Sequence, residues 1–323
     1  MKKIGIGGIL LVVCSLVFAG GVQEEAPVEE QYPTRPVTLI VPYNAGAGTD
    51  TTARMIAQKL EQIIGQPVPI LNMGGASGGI GMSELMRSEP DGYTMALDLV
   101  NIWTRKALNT SDFGPEAFES IAECGSYYLV EVARQASQFT TLKEFYDSAK
   151  QTPDSVAIAT NIGAIIHFVT LAMMDGTGAQ PRLVHIGDGA QRITSVLGGH
   201  VETTIMGTQE VLPYYTSNDM KVLAVYAPER VLWYPEVPTA KEQGFDVVQA
   251  NFYWFFMPKG TPAERVNFMA DALEQVMRDP EIIQRMVTMG MTPTYFRGAE
   301  LQQRIDAEGK KLMDLAQRHN LGK

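Results

Sequence analysis

Four short turns, rich in glycine, alanine, serine and asparagine, are the segments of this chain whose composition best suits ligand binding. Each follows an apolar strand pattern and precedes a helix pattern, and they lie near residues 44–50, 74–79, 161–164 and 187–190. In the first turn, Gly46 and Gly48 allow the backbone to approach a ligand without an intervening Cβ. Thr49 or Asp50 is predicted to cap the helix that follows. The unpaired N–H groups at such a helix start attract a carboxylate or a phosphate.

The first turn carries no lysine or arginine, so an anion bound there would be held mainly by main-chain amides. It does not fit the dinucleotide fingerprint, because Thr51 stands where a third glycine or alanine is needed. No glycine-lysine-serine or glycine-lysine-threonine segment forms a Walker loop either. Ligands of open α/β sheets sit at the carboxyl ends of strands, beside turns of this kind. Four such turns, spread over both halves of the chain, indicate a cleft between two lobes.

An enzymatic alternative comes from residues 75–79, whose Gly-Ala-Ser-Gly-Gly sequence matches the nucleophile-elbow pattern of α/β-hydrolases. Under that interpretation Ser77 would be the nucleophile of an esterase, and His319 would complete its triad. Three residues separate the preceding strand from Gly75, which suits a loose loop better than a strained elbow. Ser77 also lies before most of the predicted strands. We therefore assign no catalytic residue.

Histidine and cysteine spacing predicts no metal centre and no cofactor. The four histidines show no i, i+4 pair and no cysteine partner, and they are His167, His185, His200 and His319. His167 lies near a helix start, so a structural role in capping or packing the preceding turn is expected. Cys124 is expected to be a half-buried structural thiol. The aromatic run at residues 252–256 is expected to be a buried strand.

Composition and the N-terminal segment indicate an exported soluble protein. The chain has 323 residues, 45% of them hydrophobic, which allows one or two domains with a substantial core. Its formal charge of −10 argues against nucleic acid or an anionic membrane as a partner. Residues 1–19 have the basic start and apolar run of a signal peptide cleaved after Ala19, with a lipid anchor at Cys14 as the alternative. Residues 20–31 are expected to form a flexible acidic tether.

Strand and helix patterns alternate from Tyr32 onward, which is the signature of an α/β fold with mostly parallel sheets. The first helix is expected over residues 51–64, after a strand at residues 37–41. Further strands are expected at residues 68–71, 93–99, 127–132, 156–160 and 183–186. A helix is expected over residues 141–150, and patterns that predict capped helix starts begin at Thr239, Thr261 and Asp279.

Several short segments also occur in an order shared with a known family. They include Tyr-Pro-Thr-Arg-Pro-Val at residues 32–37, Val-Pro-Tyr at 41–43 leading to Asp-Thr-Thr-Ala-Arg at 50–54, Gly-Gly-Ile-Gly at 78–81, Pro-Asp-Gly-Tyr-Thr at 90–94 and Pro-Lys-Gly-Thr-Pro at 258–262. In this set the chain resembles the receptors of the tripartite tricarboxylate transporter family, also called Bug receptors. The resemblance implies an α/β, two-lobed periplasmic-binding-protein fold, type II-like, with the ligand cleft between the lobes. Lobe 1 would comprise residues 32–127 and 228–323, and lobe 2 residues 128–227.

The resemblance further implies a monomeric periplasmic receptor, without enzymatic activity, that captures a small organic carboxylate and delivers it to the large and small membrane subunits of a transporter. A solute sensor for a signalling partner is the alternative. From the family's first two turns, ligand contacts carry over to Tyr43, Asn44, Ala45, Gly46, Thr49, Asp50, Ala76, Ser77 and Gly78. The opposite lobe would contribute Asn161, Gly163, Ala164, Gly187, Asp188 and Gly189.

The chain departs from the family pattern in two places. Ala164 stands where the family commonly has serine, which removes a hydroxyl donor. In the next turn a frequent Pro-Tyr-Lys-Gly is replaced by residues 185–188, His-Ile-Gly-Asp. Losing a lysine and gaining Asp188 makes that end less suited to a second carboxylate. These departures predict a ligand with one carboxylate and a neutral or amine-bearing far end.

Overall fold

The computed structural model describes Met1, residues 31–187 and residues 189–322. The predicted signal peptide after Met1, residues 20–30 of the predicted tether, and Asp188 therefore lie outside the described residues. By its contacts, the chain from Pro33 to its end forms one compact unit, and Met1–Tyr32 is a separate unit. Within the described ranges, no helix combines the length and the apolar composition that crossing a membrane requires.

Strands and helices alternate through most of the chain. The strands are β1 Thr38–Val41, β2 Ile70–Asn72, β3 Thr94–Asp98, β4 Phe118–Arg134, β5 Ala157–Thr160, β6 Arg182–His185, β7 Thr203–Gly207, β8 Met220–Val225, β9 Ala250–Pro258 and β10 Thr292–Phe296. The helices are α1 Gly48–Ile64, α2 Gly79–Arg87, α3 Asn101–Ala107, α4 Leu142–Gln151, α5 Ile165–Thr177, α6 Gly189–Leu197, α7 Thr208–Thr216, α8 Ala263–Arg278, α9 Pro280–Thr288 and α10 Gly298–Arg318.

The strands form one mixed sheet with the order β2-β1-β3-β9-β4-β7-β5-β6, and β10 and β8 also pair with β4. In its first half β1 pairs in parallel with β2 and β3, and in its second half β5 pairs in parallel with β6 and β7. The long strand β4 joins the halves, because it pairs with β9 and β10 early and with β7 and β8 late. Every pairing of β4 and β9 is antiparallel. The prediction of mostly parallel pairing is therefore wrong for the centre, since a buried strand has the same hydrophobic pattern in either orientation.

The helix starts expected at Thr141 and Asp279 are confirmed, the capping box predicted at Thr239 forms without a full helix, and the cap predicted at Thr261 is wrong. The side chain of Thr141 caps α4 in a complete capping box, and Asp279 caps α9. Thr239 forms the two bonds of a capping box with Glu242, but they enclose only the 3₁₀ turn Lys241–Gln243. Thr261 does not cap α8, because its hydroxyl donates instead to the carbonyl of Pro258 at 2.8 Å.

The aromatic run lies in β9, which confirms the expected strand. Four of its five rings are completely buried, those of Tyr253, Trp254, Phe255 and Phe256. Trp254 Nε1 donates to Glu123 Oε2 at 3.1 Å, so its polar atom is also satisfied. Cys124 on the neighbouring strand β4 is fully buried and not half-buried as expected, and burial raises the pKa of its thiol well above the usual value. An apolar, protonated thiol suits a packing role.

Candidate functional site

A cavity of about 170 Å³ lies where the starts of several helices converge between the two halves of the sheet. Its lining includes residues from the starts of α1, α3, α5 and α7 and from the turn before α6. Side chains of β4 and β9 contribute Tyr127 and Asn251. We call this the inner cavity. A helix start carries the positive end of the helix dipole, and several such starts border this one space.

The start of α1 differs from the prediction, and the difference exposes donors to the inner cavity. Ala47 occupies the N-cap position and provides no side-chain bond, so neither Thr49 nor Asp50 is the cap. The carboxylate of Asp50 instead reaches back over the turn and accepts a bond from Gly46 N at 2.8 Å. The N–H groups of Gly48 and Thr49, which line the inner cavity, have no partner among the described residues.

Asp50 acts as a brace beneath the first turn. Its carboxylate also accepts bonds from Arg54 Nε at 3.0 Å and from Asn72 Nδ2 at 2.9 Å. Burial alone would raise the pKa of Asp50, but the bonds from Arg54, Gly46 and Asn72 hold it below its usual value. The carboxylate therefore stays ionised and fully engaged with the protein, beneath the turn and not among the residues that line the cavity.

Tyr43 lines the inner cavity and is fixed by buried polar groups. Its hydroxyl donates to Asp98 Oδ1 at 2.8 Å and accepts from Asn101 Nδ2 at 3.3 Å. Burial, and then the charge of Asp98, raise the pKa of Tyr43 well above its usual value. The ring is thus a neutral wall in one orientation.

Two of the remaining residues predicted in the first turn, Asn44 and Gly46, lie at the edge of a second, larger cavity. This outer cavity has about 970 Å³ and is lined by Asn44 and Gly46 but not by Ala45. It shares Ala47, Gly48, Gln209 and Glu210 with the inner cavity, so the two are continuous there.

The second predicted turn does not reach either cavity. The carbonyl of Ser77 accepts a bond from Arg105 Nη1 at 2.6 Å, and Gly78 is buried beside the same side chain. Ala76 faces a separate surface cavity of about 430 Å³ next to residues 109–113. Direct contact of Ala76, Ser77 and Gly78 with a ligand therefore stays a prediction.

The triad of the esterase alternative is not assembled among the described residues. His319 Nε2 lies 2.8 Å from Asp175 Oδ1, where α10 meets α5. No hydrogen bond joins Ser77 to a histidine in the part of the chain that the structure describes. The Gly-Ala-Ser-Gly-Gly match thus lacks the serine–histidine geometry that an elbow needs.

The third and fourth turns supply lining residues from the opposite half of the sheet. Asn161, Ala164 and Gly187 line the inner cavity, and Gly189 lines the outer one. Gly163 points its N–H toward His167 Nδ1 at 3.4 Å, which confirms that His167 holds the turn. Burial, and then His319, lower the pKa of His167, so the ring is a neutral acceptor. Asp188 cannot be placed, because it lies outside the described residues.

Sequence reasoning missed five polar residues that line the inner cavity: Asn101, Arg192, Gln209, Glu210 and Asn251. The sequence did contain a signal for Gln209 and Glu210 at the start of α7. The strand β7 ends in Gly207, and Glu210 follows three residues later, which is the spacing of a capping box. Asn101 likewise begins a helix just after β3. Only the folded chain could place Asn251, which belongs to a distant strand.

Most of these missed groups are hydrogen-bond acceptors. Asn251 Oδ1 and Gln209 Oε1 are buried without a partner in the described residues. Glu210 Oε2 accepts a bond from Gly207 N at 3.0 Å, so its carboxylate is held at the border of the two cavities. Arg192 supplies a positive charge, and its Nη1 donates to the carbonyls of Ile186 and Gly187. The cavity thus combines amide donors at helix starts with unfilled acceptors.

Comparison with known proteins places this architecture among transport receptors. The family model described as "Tripartite tricarboxylate transporter family receptor" matches residues 52–321. A UPF0065 protein from the TAR-I ttuE-ttuC' intergenic region of Agrobacterium vitis is 29% identical over 89% of this chain and 85% of its own length. The structure of the periplasmic binding protein BugD is 27% identical, with a TM-score of 0.82 over 90% of this chain and 99% of that one.

A third match, MatC from Rhodopseudomonas palustris with bound malate, shares the fold with a TM-score of 0.79 over 88% of this chain and 100% of that one, at 24% identity. These matches confirm the two-lobed α/β fold. We call the half with β1–β3, β9 and β10 the first lobe and the half with β5–β8 the second lobe. The exact boundaries given above, at residues 127–128 and 227–228, stay a prediction.

Proposed function

This chain belongs to the tripartite tricarboxylate transporter receptor family, and we propose that it captures a small organic carboxylate in the periplasm and delivers it to a transporter of that kind. The observation that carries the proposal is the convergence of helix starts from both lobes on the inner cavity. Converging N-terminal dipoles and unpaired N–H groups form an anion site that needs no lysine. The malate bound to MatC is in keeping with this class of ligand.

In this proposal the carboxylate of the ligand sits at the start of α1. The N–H groups of Gly48 and Thr49 donate to it, while the brace from Asp50 to Gly46 keeps the turn in position. A preformed donor pair loses little entropy on binding, which favours affinity. Closure of the second lobe then removes water and adds the start of α5 and α7. A cleft that closes around its ligand follows from the higher affinity of the closed state.

Acceptor groups that line the inner cavity support the predicted preference for one carboxylate. Glu210 at the border would repel a second carboxylate, whereas Asn251 Oδ1 and Gln209 Oε1 would accept bonds from an ammonium or hydroxyl group. Buried acceptors left unpaired are unfavourable, so a ligand without donors would be penalised. We therefore propose a monocarboxylate that carries an amine or a hydroxyl.

A thermal-shift screen followed by calorimetry tests both statements. The panel contains monocarboxylates with and without amine or hydroxyl groups, together with dicarboxylates and citrate. A ligand at 100 times its Kd should stabilise the protein by about 2.7 kcal/mol, which gives a clear rise in Tm. Absence of a response to every carboxylate would contradict the receptor proposal.

Glu210→Gln tests the selectivity separately. The variant should lose affinity for amine-bearing ligands and gain affinity for dicarboxylates, because the repelling charge is removed. Glu89→Gln, an exposed change in a loop of the first lobe, is the matched control and should alter neither. Tightest binding to citrate that is unaffected by Glu210→Gln would refute the single-carboxylate preference while leaving the receptor proposal in place.

Delivery to membrane subunits requires its own experiment. Proteoliposomes that contain the large and small subunits should take up labelled ligand only when this protein is added on the outside. Ligand uptake that is independent of the added receptor would contradict delivery and favour a sensing role.

A further inference from the structure

A continuous chain of polar contacts runs through the first lobe beneath the cleft. Arg105 Nη1 donates to the Ser77 carbonyl at 2.6 Å, and Arg105 Nη2 donates to Asp98 Oδ2 at 2.5 Å. The Tyr43 hydroxyl donates to the other carboxylate oxygen of Asp98. The side chains of Arg105 and Asp98 are only 2% and 0% exposed. Their two charges are therefore held in fixed positions, and they fix the first and second turns relative to each other.

Asn101 extends this chain across the cleft to the second lobe. Its Nδ2 donates to the Tyr43 hydroxyl at 3.3 Å, and its Oδ1 accepts a bond from Ile165 N at 3.1 Å. Ile165 is the first residue of α5, 64 positions further along the chain. One amide side chain thus connects the first turn of one lobe with the third turn of the other.

The start of α5 has no cap of its own. Ala164 occupies the N-cap position with extended backbone angles but offers no side-chain acceptor. A serine at this position would supply one. Asn101 therefore binds, from the opposite lobe, the N–H group of the first helical residue, which a side chain at the N-cap does not normally reach.

We propose that Asn101 is a positioning residue that caps α5 from across the cleft and thereby favours the closed arrangement of the lobes. Only the expected effect on ligand affinity rests on the proposed function. The expected effect on lobe closure does not require a ligand. When the lobes separate, Asn101 loses its acceptor role and the start of α5 loses its cap. In the closed form the Asn101 side chain accepts the bond from Ile165 N, so the start of α5 is capped only when the cleft is shut.

Other contacts also cross between the lobes and make a useful comparison. The Thr208 hydroxyl donates to the Gly290 carbonyl at 2.7 Å. Unlike the Asn101 contact, this bond satisfies no N–H group at a helix start. Asn101→Ala leaves this contact intact, so the lobes keep a second point of attachment. The loss of one net hydrogen bond corresponds to a change in the closed-to-open ratio of about two- to tenfold.

The test measures closure in the absence of ligand. Single-molecule energy transfer between dyes at Arg87→Cys in α2 and Leu197→Cys in α6 reports the lobe separation, because the native Cys124 is buried. Asn101→Ala should raise the open-to-closed ratio about two- to tenfold, and affinity for the carboxylate found in the screen should fall by at most the same factor. An unchanged distribution of distances would overturn the proposal, even if no ligand is found.

Ala164→Ser separates the cross-lobe role from simple helix capping. In the Asn101→Ala background, the added serine should restore the stability of α5, measured by slowed amide exchange of residues 165–168. It should not restore closure. If Ala164→Ser returns both amide protection and the closed fraction to their original values, Asn101 is only a helix cap and the proposal is wrong.

Discussion

We expect Glu131 to make the stability of this protein depend on pH. The residue lies on β4 in the second lobe and is completely buried. Its Oε2 accepts bonds from the hydroxyls of Tyr226 at 2.7 Å and Tyr146 at 3.2 Å, whereas its Oε1 has no partner among the described residues. Burial raises the pKa of Glu131 to about 7, although the tyrosine bonds oppose the shift.

The sign of the effect follows from the direction of this shift. The folded state holds the proton more tightly than the unfolded state, so the contribution to stability is complete below pH 4.5 and is lost as the pH rises to about 7. The interval between these two values corresponds to roughly 3 kcal/mol of the free energy of unfolding. Glu131→Gln removes the titration and keeps an acceptor for the tyrosines.

Chemical denaturation at pH 5, 6, 7 and 8 measures the difference between the two proteins. Relative to the parent protein, the stability advantage of Glu131→Gln should grow from below about 1 kcal/mol at pH 5 to about 3 kcal/mol at pH 8. Glu144→Gln is the control, because hydrogen bonds from Thr140 hold the pKa of Glu144 below its usual value, outside this range. A difference between Glu131→Gln and the parent protein that stays constant from pH 5 to 8 would refute the reasoning.

Two further predictions concern the frame around the cleft. Asp98→Asn leaves the charge of Arg105 buried without its ionic partner, and denaturation should show a loss of about 3–5 kcal/mol; a loss below 1 kcal/mol would mean that the guanidinium finds another anionic partner or water. Gly81→Ala in α2 places a Cβ only 2.9 Å from the backbone Cα of Pro42 and should lower stability by about 1–3 kcal/mol. Gly176→Ala in the helix α5 meets no atom within 4 Å and should instead raise the free energy of unfolding by about 0.5–1 kcal/mol; equal effects of the two alanines would contradict the packing argument.

Much of the local structure was predictable because its signals are local. Apolar runs bounded by glycine located the strands that precede the four turns, and Thr141 and Asp279 marked helix starts through bonds to residues two or three positions away. The family resemblance then implied the two-lobed fold, which the comparisons confirm.

The details of the candidate site were harder to predict, because they depend on competing partners. Asp50 was expected to cap α1, but the nearby groups Gly46, Arg54 and Asn72 bind its carboxylate instead. A serine in a glycine-rich segment suggested a nucleophile elbow. In the structure, Arg105 instead binds the carbonyl of Ser77 and holds this turn within the first lobe. Neither outcome can be read from spacing alone.

The sequence by itself determined the strand–turn–helix units, the absence of a cationic cradle in the first turn, and the family to which the chain is similar. Only the tertiary structure decided which helix starts face the same cavity, that Glu210 and Asn251 supply acceptors there, and that Asn101 caps a helix of the other lobe. The physical reason is the distance along the chain over which each interaction acts. Propensity and capping act over three or four residues, whereas the contact from Asn101 to Ile165 joins elements whose approach is set by the order of strands in the sheet.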